Sequence, residues 1–546
     1  MRQLSSVSTR AEFMAAAYAD RPALRFRGRT ATYREFHKRV EEAAGVLRRL
    51  GAVPGARIGL LLPNSPAVLV YTFAAFAIGA SVAALDPDGS EDALAEFALA
   101  SGFTLLITCD LVPLLEKALA LGRRGRIQSI TVISYGSMLS ASSALRLRLF
   151  AANRLSRLPV GFVCPVRWER DVTQDKSREA VTAPERRQPA SSMSEPPMED
   201  TALMCWTRVG GVSRLVSLTQ ANLTNNLNQI CSALPQLEPG RDRIVAALPL
   251  WHPLSLALTA SIAVSQGSEL TIVPELESDA LIEAVKGSRP TILMAPAPLL
   301  AAFLTHPRLG NMPSLRLVLV TGGTITPALS AAMAAVSNAL LLECYAPSST
   351  PAVVAITHLK EASETANLQL VGETRVSVHD LADPSRELPR GERGEVYVSG
   401  AQIAGTQQVE PRQGIFVGNE LRTGELGLID AAGRLLIVDH VEDLIVAAGY
   451  LIYPRRIETA LLEHPGVTDA AVIGIGDGKR GNAPKAFVVL KRGLAITERD
   501  LRLFLASRIS KIEMPADIDF TTALPRTPFG LVCKVTLRRL EAARRT

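Results

Sequence analysis

Cysteines are the residues whose chemistry is easiest to test by spacing, because a metal site or a redox pair needs two thiols close together. The chain has six, and none belongs to a Cys-x-x-Cys pair: Cys109, Cys164, Cys205, Cys231, Cys344 and Cys533. The N-terminus lacks the charged and then apolar pattern of a secretory signal. We therefore expect a cytoplasmic, thiol-reduced protein with neither disulfides nor a cysteine metal site.

Basic residues are the second group whose spacing suggests a partner. The net charge of +6 is modest for 546 residues, and the arginines do not form the aromatic-interleaved stripe of a nucleic-acid surface, so we expect no nucleic-acid partner. One stretch, residues 145–158, carries Arg146, Arg148, Arg154 and Arg157. Two interpretations are open: a peripheral contact with a membrane surface, or a solvated amphipathic helix on the protein's own flank.

The elements that must position any site are predicted to alternate between strands and helices. Residues 31–62 predict a strand, an amphipathic helix and a strand, and short apolar runs recur at 103–108, 243–248, 269–273, 291–295 and 315–320. This pattern predicts an α/β fold with doubly wound parallel sheets. The uncharged stretch 67–85 is predicted to be a buried helix packed on a sheet rather than a membrane span, because Asp86-Pro87 ends it promptly.

Two changes in pattern predict the domain boundaries. Residues 136–199 lack the alternation of strands and helices. They are predicted to be an irregular, partly mobile insertion in a large N-terminal domain, residues 1–438. Near Asp439 the pattern changes to a compact α+β segment, with strands at 470–475 and 486–490 and a helix at 498–508. We expect a small C-terminal domain, residues 439–546, joined by a hinge.

Six short motifs occur in the order and at the spacing of one known family. They are residues 32–36 with 62–66 (TYREF, LPNSP), 248–252 (LPLWH), 394–400 (GEVYVSG), 421–427 (LRTGELG), 448–454 (AGYLIYP) and 524–530 (LPRTPFG). The chain resembles the adenylate-forming, AMP-binding acyl-CoA synthetases over nearly its whole length, and bacterial long-chain fatty acid–CoA ligases most of all. The resemblance implies ATP or AMP and CoA as cofactors, a fatty acyl or other carboxylate substrate, and a C-terminal domain that rotates between two half-reactions.

The family's phosphate loop aligns with residues 206–215, where Gly210, Gly211 and Ser213 are the residues able to bind phosphate. Arg214 replaces the loop's lysine. Two interpretations are open: Arg214 contacts a phosphate as a catalytic residue, or the segment is an ordinary strand-to-helix turn with a surface arginine.

The family's nucleotide motif aligns with residues 345–349. By resemblance Tyr345 stacks on adenine, Ser348 supplies the catalytic hydroxyl, and Ser349 occupies the position of a lost Mg²⁺-binding glutamate. Gly322 and Gly323 complete the expected nucleoside pocket. We predict no metal ligands, and Mg²⁺ binding is doubtful.

The remaining site positions also come from the resemblance. His252 is a catalytic candidate, Glu425 stands where an aspartate binds ribose, and His440 replaces an arginine of the hinge motif at 439–443. Leu531 stands at the position of the catalytic lysine, and a leucine cannot stabilise developing negative charge. Lys534, one turn later, is the residue that would have to substitute for it.

Three functions follow from this pattern of kept and altered positions. The first is a pseudoenzyme with weak or lost adenylation that binds nucleotide and acyl group or helps an active paralogue. The second is a functioning carboxylate–CoA ligase of altered mechanism, with an acyl carrier protein as a candidate partner. The third is a membrane-surface scaffold acting through residues 145–158.

Overall fold

The computed structural model describes residues 7–159, 161–174, 200–209, 212–347, 349–350, 352–357, 368–406, 408–410, 414–477 and 481–545. Its α-helices are α1 (Val7–Ala17), α2 (Tyr33–Arg49), α3 (Pro66–Ala77), α4 (Glu91–Ser101), α5 (Val112–Arg123), α6 (Ala141–Phe150), α7 (Glu169–Gln174), α8 (Gln220–Ala233), α9 (Pro253–Ser255), α10 (Ile262–Gln266), α11 (Ser278–Ser288), α12 (Ala297–Leu304), α13 (Pro327–Ala334), α14 (Pro454–Leu462), α15 (Glu498–Leu505) and α16 (Lys534–Arg545).

The strands are β1 (Pro22–Phe26), β2 (Arg29–Thr32), β3 (Arg57–Leu60), β4 (Ser81–Ala84), β5 (Leu105–Cys109), β6 (Ser129–Ile133), β7 (Val166–Trp168), β8 (Thr201–Val209), β9 (Val212–Thr219), β10 (Arg243–Ala246), β11 (Glu269–Ile272), β12 (Ile292–Pro296), β13 (Leu317–Thr321), β14 (Leu340–Tyr345), β15 (Ala355–Thr357), β16 (Leu368–Leu370), β17 (Arg375–His379), β18 (Gly394–Ser399), β19 (Val409–Glu410), β20 (Phe416–Val417), β21 (Glu420–Ile429), β22 (Leu435–His440), β23 (Ile445–Ala447), β24 (Tyr450–Ile452), β25 (Val467–Asp477), β26 (Gly481–Leu490) and β27 (Asp517–Phe520).

The chain divides into two compact units. The large unit comprises Met1–Arg208, Val212–Arg375 and Ser399–Leu421, and the small unit comprises Val209–Gly211, Val376–Val398 and Arg422–Thr546. The boundary predicted at 438/439 stays a prediction. Among the described residues, no helix has both the length and the apolar composition needed to cross a membrane.

The large unit contains two mainly parallel sheets. In the first, the order is β16-β15-β14-β13-β12-β10-β11-β1-β2, and the strands from β14 to β1 run parallel. In the second, the order is β19-β9-β8-β4-β3-β5-β6-β7, parallel from β8 to β7. Fully buried strands such as β12 and β13 read as continuous apolar runs, which is why sequence periodicity located them.

The predicted buried helix at 67–85 is confirmed as α3, nearly all of whose residues are buried, followed by β4. The strand–helix–strand at 31–62 differs from its prediction. Tyr33 begins α2, because Thr32 and Glu35 form a capping box at its N-terminus. In addition, β2 pairs antiparallel with β1 in the first sheet, whereas β3 lies in the second, so α2 connects two sheets.

The segment predicted to be an irregular insertion contains regular structure in its described part. Helix α6 begins with Ser140 as its N-cap, and β7 extends the second sheet beside β6. Most of the polar run predicted to be mobile, residues 175–199, lies outside the described residues.

The small unit contains a sheet of order β24-β23-β26-β25, with β27 beside β26. Its core is apolar and includes Ile457, Leu461, Val472, Val488 and Leu501. One lysine, Lys485, is buried in this unit and is charge-compensated by three carboxylates: Asp517 at 3.0 Å, Asp519 at 2.8 Å and Glu541 of α16 at 3.1 Å.

Candidate functional site

The carboxyl ends of neighbouring parallel strands bring several predicted residues to one edge of the first sheet. Gly322 and Gly323 directly follow β13, and Tyr345 is the last residue of β14. His252 follows β10, which is separated from β13 by β12. Ligands of open α/β sheets bind at this edge, in the loops that follow the strands. The large unit therefore carries a candidate ligand site there.

The turn after β13 depends on its two glycines. Gly322 and Gly323 have φ angles of 58° and 126°, which residues with a Cβ rarely adopt. Beyond them, the backbone N–H of Ile325 donates to the Glu343 carboxylate at 3.1 Å, and Thr326 caps α13. The turn is thus fixed at both ends beside Tyr345.

The loop after β14 contains a buried neutral hydroxyl where the resemblance places a metal ligand. Tyr345 is half-buried, and its carbonyl accepts a hydrogen bond from the N–H of Val354 at 2.9 Å. Ser349 is 1% exposed, and its hydroxyl has no hydrogen-bond partner among the described residues. Ser348 lies outside the described residues. Within the described part of the chain, no three His, Cys, Asp or Glu side chains converge on a possible metal position.

His252 is a neutral polar group at this edge. Burial lowers the pKa of its imidazole to about 4. Its Nδ1 accepts a hydrogen bond from the N–H of Leu254 at 3.3 Å, which leaves Nε2 as the protonated nitrogen of the neutral ring. At neutral pH, His252 can therefore orient a ligand by hydrogen bonding but brings no positive charge to a carboxylate or phosphate.

The lowered pKa of His252 predicts a pH-dependent stability. Between the unfolded pKa of about 6.5 and the folded pKa, the unfolded state binds the proton and the folded state does not. Lowering the pH from about 7 to about 4.5 should therefore reduce the free energy of unfolding through this ring by about 2 kcal/mol. Urea denaturation at the two pH values should show a smaller loss in His252→Asn than in the wild type. An equal loss in both proteins would contradict the assignment.

Most of the predicted phosphate loop, residues 206–215, belongs to two long strands and not to a loop. β8 ends at Val209 and β9 begins at Val212, so Gly210 and Gly211 lie outside the described residues. Ser213 and Arg214 both belong to β9. Arg214 is only 6% exposed, so the interpretation as a surface arginine in a strand-to-helix turn is wrong.

In the small unit, Glu425 and His440 are direct cross-strand partners on β21 and β22. The strand just before Glu425 is held by Thr423, whose hydroxyl donates to the Val396 carbonyl at 2.7 Å and accepts from the Glu425 N–H at 3.1 Å. Between them, Gly424 has a φ angle of 76°, which locally distorts β21. The structure therefore brings the two predicted nucleotide-binding residues of this unit together.

The predicted hinge at 439–443 is bound to two helices of the small unit. The buried carboxylate of Asp439 accepts the N–H of Arg455 in the first turn of α14, at 3.0 Å. Asp443 forms an ion pair with Arg538 of α16. These contacts were not predicted from the sequence. One signal was present: Tyr453 stands at the N-cap position of α14 and provides no side-chain cap, so the cap must come from another residue.

Leu531 has an exposed side chain, whereas the side chain of Lys534 is largely buried. Leu531 is 38% exposed in a turn where it exchanges hydrogen bonds with Thr527. The Lys534 ammonium lies 2.8 Å from the Glu458 carboxylate and 3.4 Å from that of Asp443, and its side chain is 13% exposed. Burial alone lowers the pKa of Lys534, but the two carboxylates outweigh burial and raise it above its ordinary value. Lys534 is therefore a charged residue held by its own unit.

Comparison with known proteins tests the family. The model of the AMP-binding enzyme family matches residues 12–406, and the model of the AMP-binding enzyme C-terminal domain matches residues 456–530. This chain belongs to the AMP-binding enzyme family. The match confirms the family read from the six motifs, and it makes the chain a member of the adenylate-forming acyl-CoA ligase type.

Several relatives align with this AMP-binding enzyme over nearly its full length. A long-chain-fatty-acid–CoA ligase of Bacillus subtilis strain 168 is 24% identical over 534 residues, covering 96% of this chain and 92% of its own. A feruloyl-CoA synthase of an Amycolatopsis species is 28% identical over 524 residues and covers 95% of both chains. The ATP-bound structure of MatB from Rhodopseudomonas palustris has a TM-score of 0.78 at 22% identity, covering 97% and 98%. This structural match confirms the predicted α/β fold with its large N-terminal and smaller C-terminal parts.

Proposed function

We propose that this AMP-binding enzyme is an acyl-CoA synthetase-like protein whose ATP-dependent adenylation is weak or lost. It binds a nucleotide and an acyl or other carboxylate group, and it acts as a ligand binder or as a helper of an active paralogue. The observation that carries the proposal is the environment of Lys534, the residue that would have to replace the lysine missing at Leu531. ATP–pyrophosphate exchange across a panel of carboxylic acids tests it.

Lys534 is poorly placed to serve as a substitute. Its ammonium compensates two carboxylates whose side chains are almost as buried as its own. Moving the ammonium towards a substrate would leave the buried Glu458 carboxylate without its cation, with only the N–H of Val472 at 2.8 Å as a donor. Removing one member of a buried pair costs about 3–5 kcal/mol. A catalytic cation must also be held within a fraction of an ångström of its working position. The geometry favours a structural role.

The residues of the large unit fit a nucleoside better than a triphosphate with its metal. The positive-φ turn at Gly322-Gly323 and the half-buried Tyr345 suit a flat base and its sugar. Bound ATP would supply the electrophilic phosphorus that a carboxylate attacks. Mg²⁺ does not fit, because the buried hydroxyl of Ser349 cannot offset the charge of a divalent cation as a carboxylate does.

We expect AMP, or a non-hydrolysable acyl-AMP analogue, to bind more tightly than ATP. The monophosphate needs Tyr345 and the two glycines of the large unit, whereas the triphosphate also needs phosphate-loop donors and a metal. Isothermal titration calorimetry should rank the analogue first, and Tyr345→Ala should weaken its binding by about tenfold, because stacking of a base on an aromatic ring contributes about 1–3 kcal/mol. ATP binding more tightly than the analogue would reverse the ranking.

A second candidate is a functioning carboxylate–CoA ligase of altered mechanism that accepts a preformed acyl-adenylate. Thioester formation does not require a lysine at position 531. The ordered contacts of Asp439 and Asp443 with α14 and α16 favour it, because they preserve the segment that a thioester-forming orientation uses in the family. The candidate predicts acyl-CoA from synthetic acyl-AMP and CoA, or acyl transfer to an acyl carrier protein. The first candidate predicts neither.

A further inference from the structure

A long stretch of the large unit contains basic residues but no acidic ones. Residues 117–168 contain nine Lys or Arg and no Asp or Glu, whereas the chain's overall content of 53 acidic residues in 546 would place about five in a stretch of this length. Blocks of one charge repel one another and are typical of interaction surfaces.

Two contacts show that the early and the late part of this stretch are adjacent in space. The segment after α6 follows α5 from its first residues to its last: Leu155 bridges to Leu111 before α5, and the Arg123 guanidinium at its end lies 5.6 Å from the Phe162 ring. The ring of Phe162 is also so close to Gly122 that a methyl group there would meet it at 2.8 Å. The end of α5 with its basic residues therefore lies beside the segment that follows α6. We group the exposed residues of α6, of this segment and of the end of α5 under the name arginine-rich face.

This arginine-rich face consists of exposed cations and exposed aliphatic side chains. Its members are Arg123, Arg126, Arg146, Arg154, Arg157, Leu145, Leu149 and Val163. Arg146, Arg154 and Arg157 form no ion pair with any described residue. Leu145, Leu149 and Val163 are 57%, 65% and 74% exposed. Among the neighbouring acids, Asp92 is paired with Arg124 and Asp110 is buried, so Glu116 is the exposed acid of α5.

We propose that the arginine-rich face docks on an anionic lipid surface. The arginines complement lipid phosphates, and the leucines and valine lose water when they enter the boundary between headgroups and acyl chains. Exposed aliphatic side chains favour lipid over nucleic acid, whose recognition uses aromatic stacking and donors to base edges. The proposal does not depend on whether the chain adenylates.

Flotation of the full-length protein with phosphatidylcholine vesicles, with and without phosphatidylglycerol, tests the proposal. We expect binding to the anionic vesicles that weakens at high salt, since salt screens exposed charges. Arg146→Gln, Arg154→Gln and Arg157→Gln together should weaken it by about 100-fold, because each basic residue near such a surface contributes roughly fivefold. Leu145→Ser with Leu149→Ser should weaken binding to the same vesicles at high salt, where the apolar contribution remains.

The matched control is Arg499→Gln with Leu503→Ser on α15, where Leu503 is equally exposed but Glu498 and Asp500 are neighbours. This variant should bind like the wild type. All substituted side chains are exposed, and an unchanged thermal unfolding curve verifies the fold. Three results would overturn the proposal: no binding of the wild type to anionic vesicles, equally tight binding of the wild type to neutral vesicles, or binding by either variant of the arginine-rich face that is as tight as that of the wild type. So would tighter binding of duplex DNA than of vesicles at the same salt.

Discussion

We expect ATP–pyrophosphate exchange by the wild-type protein to be slower than that of an active fatty acid–CoA ligase by at least about 100-fold with every carboxylic acid tested. Loss of one group that stabilises developing negative charge typically costs about 100- to 1,000-fold in rate. Leu531 provides no such group, and Ser349 provides no metal ligand. Because groups acting on one transition state are not additive, we give a lower limit and not a sum.

Leu531→Lys alone should not restore exchange. The exposed turn at Leu531 accepts a lysine without a clash, so failure of the variant would point to the other altered positions and not to misfolding. Leu531→Met serves as the control for shape, with thermal unfolding as the check on fold. Robust exchange by the wild type with any fatty acid, or its recovery in Leu531→Lys alone, would refute the proposed loss of adenylation.

The second large effect is expected from Lys534→Met, which removes the ammonium from a buried cluster. Glu458 would keep its carboxylate in a buried site without its partner, and this should lower the free energy of unfolding of the small unit by about 3 kcal/mol at neutral pH. Burial already raises the pKa of Glu458, so its protonation at lower pH should reduce the difference from the wild type. Urea denaturation at several pH values measures both effects.

Lys511→Met is the matched control, because Lys511 is exposed in the same unit, and its stability should equal that of the wild type. A Lys534→Met protein as stable as the wild type would show that the cluster contributes nothing. If Lys534→Met instead remained folded and lost a measurable wild-type exchange, Lys534 would be the substitute for the missing lysine, and the structural role proposed for it would be wrong.

The parts of the fold predicted best were those with a strong local signal. The buried strands β12 and β13 are mainly apolar runs. The helix beginning at Tyr33 is preceded by the residue pair of a capping box, Thr32 and Glu35, which can be recognised in the sequence. The assignment of β2 and β3 to different sheets was not predictable, because it depends on pairings between strands distant in the chain. β2 joins the first sheet through β1, which pairs with β11, whereas β3 pairs with β4 and β5. Local patterns specify an element but not its neighbour.

The same limit applies to the candidate site. The glycines at 322 and 323 and the strand-end tyrosine were accessible to sequence reasoning because motif order located them. The burial of Arg214 was not, since a strand and a turn of that length have similar composition. The partners of Lys534 were also hidden, because Asp443 and Glu458 lie far from it in sequence and only the packing of α14 against the rest of the small unit brings them close.

Helix α16 supplies one member to each of two buried ion clusters: Lys534 to the carboxylates of Asp443 and Glu458, and Glu541 to the ammonium of Lys485. During synthesis this helix leaves the ribosome after every other element described in the chain. Until then Glu458 lacks its cation, and Lys485 lacks one of its three anions. The large unit can fold while translation continues, but the small unit should acquire its native stability late, and a nascent chain stalled before residue 534 should remain protease-sensitive there.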